Sequence, residues 1–534
     1  MILLVHPPVA KPCEPPSGIV QLAGALRAYG IPYRLLDANL EGILYLLKRP
    51  VDARDTWTRR ALKHIFSHLE SFRDINLYEK FDKYKRAVLD VNRLLAMSTA
   101  QDDIRISLAD YEHHRLSPAR TSDLIYAAEH PEENPFYPYF YERFRKIIEE
   151  EQPLFIGFSL SYLSQALCAF AMMGFVKKHF PGIKIILGGG LLTSWMKSSA
   201  WESPSELLRA EGVAPRALLV EGATRAPLID HLVCGPGEAQ LLTILGKEVS
   251  QETYYRPAYN FEHTGEYFAP GLIMPYSASS GCYWGKCTFC PERAEGNQYV
   301  QRPPRVVVSE LRGLVEETKP ILIHLTDNAV SPAVLKSLTE NSPGAPWYGF
   351  ARITDHLADP DFCIALRRSG CVMLKLGVES GDQNVLDAMN KGNDVLTASR
   401  ALKTLVQSGI MTYVYLLFGT PYESEKEARR TLDFVADHSR YIDFLNIAIF
   451  NLPFLSPDSR GLEKSNFYEG DLSLYTDFIH PKGWDRLKVR RFLDHEFKRH
   501  PAIKPILQRQ PPLFTSNHAP LFSKLFIDFF RSVL

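Results

Sequence analysis

The sequence has no excess charge of either sign, few cysteines and no long apolar run. Lys and Arg number 61, as do Asp and Glu, so the formal net charge at pH 7 is zero. This balance does not favour a nucleic acid or an anionic membrane as partner. The eight cysteines among 534 residues are too sparse for a disulfide scaffold. The longest apolar run, residues 166–176, is too short to span a bilayer.

The N-terminus also lacks the basic segment of a signal peptide. Met1-Ile-Leu-Leu-Val5 runs directly into His6 and two prolines, which is typical of a buried strand. Together with the sparse cysteines, these absences predict a soluble protein of a reducing compartment, the cytoplasm. Apolar residues make up 46% of the chain, which is ample material for buried cores.

The first part of the chain, residues 1–250, predicts a Rossmann-like α/β domain. Buried strands alternate with helices, and glycines follow directly after several strands. We expect the strands at residues 2–5, 32–37, 154–159, 184–187 and 231–234. Residues from about 45 to 150 interrupt this pattern and are charged, aromatic and periodic at helical spacing, which predicts a helical insertion.

Residues 251–460 predict a second α/β domain, a partial (β/α)6 barrel, whose site lies at the carboxyl ends of the strands. We expect its strands at residues 274–277, 322–325, 347–350, 373–377, 412–418 and 444–450, and helices at 382–389, 395–408 and 424–436. Residues 461–534 predict a small C-terminal segment of irregular cover and terminal helices.

Three cysteines, Cys282, Cys287 and Cys290, lie within ten residues of one another, directly after a predicted strand. Thiolates at this spacing can hold one metal centre. A 4Fe-4S cluster needs four ligands, so three cysteines would leave one iron open to a small molecule. A closed zinc site is the alternative, but it needs a fourth Cys or His, and no second cysteine pair follows at zinc-ribbon spacing. No cysteine follows Cys371, so we predict a single cluster.

The strand, the three-cysteine loop and the barrel pattern together resemble the radical S-adenosylmethionine (SAM) superfamily. The usual family spacing is C-x3-C-x2-C, whereas this chain has C-x4-C-x2-C, one residue more in the first gap. The stretches Leu325–Pro332, Phe350–Ile353, Gly377–Gly381 and Phe418–Glu423 resemble the family's later strand ends in the same order.

This resemblance implies a 4Fe-4S cluster on Cys282, Cys287 and Cys290, with SAM on the open iron. One-electron reduction would cleave SAM to a 5′-deoxyadenosyl radical. By the same resemblance, Phe289 lies near adenine, Arg352 is the partner of the SAM carboxylate and Glu379 that of the ribose hydroxyls. The SAM-binding residues implied in this way are Phe289, Asp327, Arg352, Glu379 and Ser380. His324 and Tyr415 can also face the barrel interior, but interior polar groups of this kind usually have structural partners.

The N-terminal glycine and proline motifs resemble the cobalamin-binding half of cobalamin-dependent radical SAM proteins. The cobalamin contacts implied by this resemblance are Pro16, Ser17, Gly18, Gly157, Ser159, Gly188, Gly189, Gly190, Gly235, Gly237 and Glu238. The Asp-x-His-x-x-Gly motif, whose histidine binds cobalt, is absent. We therefore expect base-off cobalamin with no protein histidine on cobalt. The alternative is a Rossmann-like domain whose glycines serve only packing.

The resemblance implies a cobalamin-dependent radical SAM enzyme that methylates an unactivated carbon of a small-molecule substrate. The expected partners are that substrate and an external electron donor. One alternative keeps the same cofactors but performs cyclisation or rearrangement without methyl transfer. A second alternative is an iron–sulfur binding protein with a catalytically silent barrel. The sequence itself does not identify the substrate.

Overall fold

A computed structural model describes residues 1–100, 102–197, 227–249, 254–260, 262, 264–466 and 470–533. The chain forms two compact units. The first unit comprises Met1–Asp74, Asp82–Ala269 and Tyr468–Leu474; the second comprises Ile75–Phe81, Pro270–Phe467 and Tyr475–Leu534. The domain boundary that we drew at residue 250 lies outside the described residues.

The first unit contains a five-stranded parallel sheet with the strand order β2-β1-β5-β6-β7. The predicted α/β class is confirmed. In chain order its elements are β1 (Ile2–His6), α1 (Ser17–Ala28), β2 (Tyr33–Asp37), α2 (Ala38–Lys48), α3 (Thr56–Ser71), α4 (Phe81–Ser98), β3 (Ile104–Ile106), β4 (Tyr111–His113), α5 (Thr121–Glu129), α6 (Tyr137–Glu151), β5 (Phe155–Ser159), α7 (Leu163–His179), β6 (Lys184–Gly188), α8 (Gly190–Lys197), β7 (His231–Val233) and α9 (Glu238–Ile244).

Strand β1 is an inner strand of this sheet, and all five of its residues are buried. It pairs with β2 on one side and β5 on the other, so the strand order changes direction between β1 and β5. Ligands of doubly wound sheets bind at such a switch point, beyond the carboxyl ends of the strands.

The insertion between β2 and β5 is mainly helical, as predicted, but it also contains a short antiparallel hairpin. Strand β3 pairs with β4 through Ile104–His113 and Ile106–Tyr111. The burial of β3 alternates, with both isoleucines inside and Arg105 exposed. Three residues are too few for such an alternation to stand out in the sequence.

The second unit contains six parallel strands that follow one another across the sheet in chain order, β8-β11-β12-β13-β14-β15. Its elements are β8 (Ile273–Tyr276), β9 (Ser279–Ser280), α10 (Pro291–Ala294), β10 (Val300–Gln301), α11 (Pro304–Thr318), β11 (Leu322–Leu325), α12 (Pro332–Glu340), β12 (Trp347–Ala351), α13 (Pro360–Arg368), β13 (Cys371–Glu379), α14 (Gln383–Ala388), α15 (Val395–Gln407), β14 (Met411–Phe418), α16 (Glu425–Asp437), β15 (Phe444–Ile449), β16 (Leu452–Pro453), β17 (Lys464–Asn466), β18 (Tyr475–Phe478), α17 (Arg486–Phe492), α18 (Lys504–Gln508) and α19 (Lys524–Val533).

Helices of this unit begin at side-chain caps close to the strand ends. The carboxylates of Asp382 and Asp394 accept backbone N–H groups at the starts of α14 and α15, and Ser424 forms a capping box at the start of α16. Such caps satisfy N–H groups that have no partner within the helix. The loops before α14, α15 and α16 are thereby fixed at their junctions with these helices.

The C-terminal segment is more regular than the irregular cover that we expected. Its strands β17 and β18 form a three-stranded antiparallel sheet with β16, which lies just before the segment, in the order β16-β18-β17. The segment also contains a π-helical turn, Leu493–Phe497. The strands are two to four residues long, which leaves little periodicity to read. Among the described residues, no helix combines the length and the apolar character needed to cross a membrane.

Candidate functional site

The loop of residues 281–290, here called the cysteine loop, connects β9 to α10. Gly281 has φ +71°, and a Cβ on this residue would lie 2.5 Å from the carbonyl oxygen of Gln298. Gly285 also has positive φ, +59°. Both positions favour glycine because side chains disfavour the left-handed region. Cys290 occupies the N-cap position of α10 and ends the loop.

The three cysteines of this loop are free thiols. Burial raises the pKa of Cys287, and it raises that of Cys290 to about 11. Electrostatic repulsion between neighbouring thiolates raises these pKa values further: Cys282 acts on Cys287, and Cys287 acts on Cys290. No three Cys, His, Asp or Glu side chains of the described residues form a preformed metal site. The loop therefore supplies three thiol donors, whose chemistry fits an iron–sulfur cluster, without the ligating geometry.

The cysteine loop is anchored on residues 389–392, here called the anchor turn, which lies between α14 and α15. The backbone N–H of Thr288 donates to the carbonyl oxygen of Met389 at 3.0 Å. The indole Nε1 of Trp284 donates to the carbonyl oxygen of Asn390, also at 3.0 Å. These bonds bring together two segments that are about a hundred residues apart in the sequence.

Arg352, just beyond the end of β12, lies against the same loop. Its side chain is buried, and its Nη1 lies 3.8 Å from the Sγ of Cys287. Its Nη2 donates to the carbonyl oxygen of Lys391 in the anchor turn. Both terminal nitrogens of the guanidinium therefore have protein partners near the cysteines. Whether Arg352 also binds a carboxylate remains a prediction.

Glu379 is the last residue of β13 and forms an ion pair with Lys391. The Nζ of Lys391 donates to the Oε1 of Glu379 at 2.6 Å, and both side chains are buried. Glu379 has φ +65°, a backbone conformation that non-glycine residues seldom adopt. Sequence reasoning assigned no role to Lys391, because one lysine gives no signal until its partner is placed.

Phe289 packs with the small apolar cluster formed by Val385, Leu386 and Met389. The Nζ of Lys391 lies 5.6 Å from the centroid of its ring. One face of the lysine–glutamate pair is thus lined by an aromatic side chain. The cysteine loop, which carries Phe289, thus lies near Arg352 and near the Glu379–Lys391 pair. The roles in SAM binding predicted for these residues remain predictions.

Asp327 and Ser380 are held by structural hydrogen bonds. The carboxylate of Asp327 accepts the hydroxyl of Ser279 at 2.6 Å and the backbone N–H of Ala278 at 3.1 Å. It therefore fixes the entry to the cysteine loop. The hydroxyl of Ser380 lies 3.1 Å from that of Thr431 and accepts the N–H of Asp382. The roles in SAM binding predicted for these two residues remain predictions.

Polar side chains also line one face of the six-stranded sheet. Strands β11 and β12 pair His324 with Tyr348, whose rings stack with centroids 4.4 Å apart. The Nζ of Lys375 lies 3.0 Å from the Nε2 of His324. Sequence reasoning left His324 and Tyr415 without a role, and it did not identify Lys375.

In the first unit, the predicted cobalamin residues lie at the carboxyl edge of the parallel sheet or at the helix starts that follow it. Pro16, Ser17 and Gly18 begin α1; Gly157 and Ser159 are in β5; Gly188, Gly189 and Gly190 join β6 to α8; Gly235, Gly237 and Glu238 lead into α9. Gly18 and Ser159 meet at the switch point, because a Cβ on Gly18 would lie 3.0 Å from the Oγ of Ser159.

These glycines fall into two groups. A Cβ on Gly157 would lie 2.9 Å from the Cδ2 of Leu4, and one on Gly189 would lie 2.3 Å from the carbonyl oxygen of Leu160. Close packing of the protein explains those two positions. A Cβ on Gly190 or Gly235 meets nothing within 4 Å. The open backbone at Gly190 and Gly235 leaves room for a large flat ligand at the edge of the sheet. Gly157 and Gly189 need no ligand to explain why they are glycines.

His6, at the end of β1, is buried against Gln165, whose Nε2 lies 3.3 Å from its Nε2. Burial lowers the pKa of His6 to about 4, so the ring is neutral at pH 7. The side chain is enclosed by protein. The expectation that no protein histidine binds cobalt remains a prediction.

Comparison with known proteins gives a family match within the second unit. Residues 276–435 match the model of the radical SAM superfamily. A bacteriochlorophyllide d C-12(1)-methyltransferase from Chlorobaculum tepidum is 28% identical over 186 residues, 33% of this chain and 40% of the relative. An anaerobic magnesium-protoporphyrin IX monomethyl ester cyclase from Rubrivivax gelatinosus is 24% identical over 237 residues, 41% of this chain and 42% of the relative. The aligned region spans less than half the length of either relative.

A solved structure extends the likeness over most of the chain. It is the radical SAM methyltransferase TsrM from Kitasatospora setae, with cobalamin and a [4Fe-4S] cluster bound. The TM-score is 0.52 at 15% identity, with 88% of this chain and 81% of that chain covered. At this identity the likeness shows that the two chains share a fold.

Proposed function

Since residues 276–435 form a radical SAM domain, we propose that the protein is a cobalamin-dependent radical SAM enzyme that transfers a methyl group to carbon. The observation that carries the proposal is that Arg352 and the Glu379–Lys391 pair lie near a loop that contains Phe289 and three free thiols. When bound, the cluster and SAM supply a carbon-centred radical, and cobalamin supplies the methyl group.

Cys282, Cys287 and Cys290 would hold the cluster, and the residues around the loop would bind SAM. Glu379 offers a buried carboxylate for hydroxyl groups, Phe289 an aromatic face for the adenine, and Arg352 a cation for the carboxylate. The burial of Arg352 and Glu379 keeps water away from these charges, which strengthens their interactions with a ligand.

In the first unit, the exposed backbone at Gly190 and Gly235 and the junction of Gly18 with Ser159 would hold cobalamin. We propose the base-off form with no histidine on cobalt, because the sequence lacks the Asp-x-His-x-x-Gly motif and the side chain of His6 is enclosed by protein. Thr193, whose hydroxyl accepts the N–H of Gly235 at 2.9 Å, would keep the open glycine backbone in position.

We propose a small molecule with an extended ring system as the substrate. The two curated relatives are named for a bacteriochlorophyllide and a protoporphyrin ester. The strands of the second unit carry aromatic residues on a shared face, among them Phe350 and Tyr415, whose ring centroids lie 5.0 Å apart. Such rings offer flat apolar area for a conjugated substrate.

The second candidate is a cyclase or rearrangement enzyme with the same cofactors, which the likeness to the Rubrivivax cyclase favours. A test without substrate separates the two. The full-length protein is reconstituted anaerobically with iron, sulfide and hydroxocobalamin and reduced with dithionite in the presence of methyl-labelled SAM. Label on cobalamin supports methyl transfer, whereas 5′-deoxyadenosine with no label on cobalamin supports the second candidate.

The variant Cys287→Ser serves as control and should form neither product. A wild-type cluster whose spectrum does not respond to SAM, with no 5′-deoxyadenosine, would overturn both candidates. That outcome would favour an iron–sulfur binding protein with a silent barrel.

A further inference from the structure

The enlarged gap between Cys282 and Cys287 carries a tryptophan that contacts two cations. The Cζ of Arg352 lies 4.3 Å from the centroid of the Trp284 ring, and the Nζ of Lys286 lies 4.9 Å from it. Arg352 is buried, whereas Lys286 is exposed. A cation–aromatic contact of a desolvated guanidinium is the stronger of the two.

The indole of Trp284 is itself held by the anchor turn. Its Nε1 donates to the carbonyl oxygen of Asn390 at 3.0 Å, and its six-membered ring lies on the backbone of Gly392. A Cβ on Gly392 would lie 2.0 Å from the Cζ2 of Trp284, so only glycine permits this contact. The ring is therefore held by the anchor turn while its face supports Arg352.

Arg352, supported in this way, directs one nitrogen to the sulfur of Cys287. Its Nη2 donates to the carbonyl oxygen of Lys391, and its Nη1 lies 3.8 Å from the Sγ of Cys287. Hydrogen bonds to cluster sulfurs and nearby positive charge are among the features that set the reduction potential of an iron–sulfur cluster.

We propose that Trp284 is a positioning residue that holds Arg352 against Cys287 and thereby raises the reduction potential of the cluster. Reduction adds negative charge, so a cationic donor at a ligand sulfur stabilises the reduced form more than the oxidised form. The inference rests on the proposed function only in requiring a cluster on the three cysteines. It also gives the longer cysteine spacing a role, since the four-residue gap accommodates this tryptophan.

The test is a redox titration with dithionite, followed by electron paramagnetic resonance, on the reconstituted full-length protein without SAM. Arg352→Gln should lower the ratio of reduced to oxidised cluster at a fixed potential about tenfold, about 59 mV for a one-electron couple. Trp284→Leu should give a shift of similar size. The double variant should shift no further than either single variant, because both changes remove the same contact.

Two further variants separate this role from general effects. Trp284→Phe keeps an aromatic face under Arg352 and should retain a potential closer to that of the wild type. Lys286→Gln removes a positive charge that lies 4.9 Å from the centroid of the same indole but is exposed, so solvent screens it and the potential should stay unchanged. A shift with Lys286→Gln as large as that with Arg352→Gln would show that charge alone acts, which would overturn the proposal.

Iron content is measured first for each variant. An unchanged potential in Trp284→Leu, or additive shifts in the double variant, would overturn the proposal while leaving the proposed function intact. If Trp284→Leu fails to hold a cluster, the test uses Trp284→Phe in its place. A reduction potential of Trp284→Phe as low as that of Arg352→Gln would contradict the stacking role. A wild-type protein that never holds a cluster would overturn the proposed function and this inference with it.

Discussion

Glu379 combines backbone strain with a buried charge. Its φ of +65° lies in a region that costs a non-glycine residue about 1–3 kcal/mol, and its carboxylate is buried against Lys391. A strand can end without a strained residue or a buried carboxylate, because a glycine adopts the same positive φ without strain. The proposed use of this carboxylate in binding would account for strain at this strand end.

The variant Glu379→Gln tests that use. We expect SAM to bind about tenfold more weakly, since the amide is a weaker acceptor for hydroxyl groups and leaves the Lys391 ammonium without its carboxylate. Equilibrium dialysis of labelled SAM against the reconstituted protein measures the change. Asp387→Asn, an exposed carboxylate on α14, is the matched control and should bind as the wild type does. Equal affinity of Glu379→Gln and wild type would refute the role.

At the scale of single elements, the turn after β14 contains a carboxyl group in an unusual state. Glu423 is fully buried, and its Oε2 accepts the N–H of Gly419 at 2.6 Å and the indole N–H of Trp484 at 3.1 Å. Burial raises the pKa of Glu423 to about 8. The side chain therefore carries a proton at neutral pH, because the cost of burying a charge exceeds the gain from the two donors.

This state predicts a pH-dependent stability. The pKa of Glu423 is raised in the folded state, so the stabilisation it contributes is present below about pH 4.5 and is lost as the pH rises through about 8. The glutamine of Glu423→Gln cannot ionise. Between pH 5 and 8.5, the free energy of unfolding of the wild type should therefore fall by on the order of 4 kcal/mol relative to that of this variant.

Urea or thermal midpoints at three pH values for wild type, Glu423→Gln and Glu425→Gln provide the measurement. Glu425 is exposed at the start of α16 and serves as the control, which should follow the wild type. Parallel pH profiles of wild type and Glu423→Gln would contradict the assignment of a proton to this side chain.

The anchor turn offers a second test at this scale. Gly392 and Gly296 both have positive φ, +70° and +64°, but only Gly392 contacts another side chain where its Cβ would be. Gly296→Ala should lower the free energy of unfolding by about 1 kcal/mol, because alanine disfavours the positive φ of this position. Gly392→Ala should cost a further 1–3 kcal/mol, on the overpacking scale, because it displaces Trp284. Denaturant midpoints compare the two, and equal losses would show that Trp284 is free to move aside.

The strands of both parallel sheets were predictable because each is a short apolar run followed by a loop or turn. The predicted residues 322–325 coincide with β11, and the predicted 444–450 exceeds β15 by one residue. The hairpin β3–β4 and the C-terminal antiparallel sheet were missed, because strands of two to four residues carry too few positions for a pattern. Boundaries of this kind are also set by tertiary pairing.

The candidate site was predictable in its residue types and not in its contacts. Cys282, Cys287 and Cys290 stand out by spacing alone, whereas the pairs Lys391–Glu379 and Trp284–Arg352 join segments that are distant in sequence. Only the packing of the anchor turn against the cysteine loop reveals those partners. The structural bonds of Asp327 and Ser380 were not predictable, because their partners Ser279 and Thr431 lie about fifty residues away in the chain.

At the scale of the whole molecule, each unit has its own sheet and core, so the two proposed cofactor sites should be separable by mutation. A triple variant with serine at residues 282, 287 and 290 should lose the cluster and still bind cobalamin at the wild-type stoichiometry. Visible spectra after gel filtration of the protein with hydroxocobalamin measure the bound fraction. Loss of cobalamin together with the cluster would contradict independent sites.

The pairing of β1 with β5 has a consequence for synthesis on the ribosome. Strand β1 pairs with β5 on one side, and in this pairing Ile2 lies opposite Phe155. The ribosome therefore synthesises β1 153 residues before it reaches this partner strand. At typical elongation rates of 5–20 residues per second, that interval is roughly ten to thirty seconds. During this time the apolar strand Ile2–His6 has only β2 to pair with. Nascent chains paused before residue 155 should therefore depend more strongly on chaperones than chains paused after residue 190.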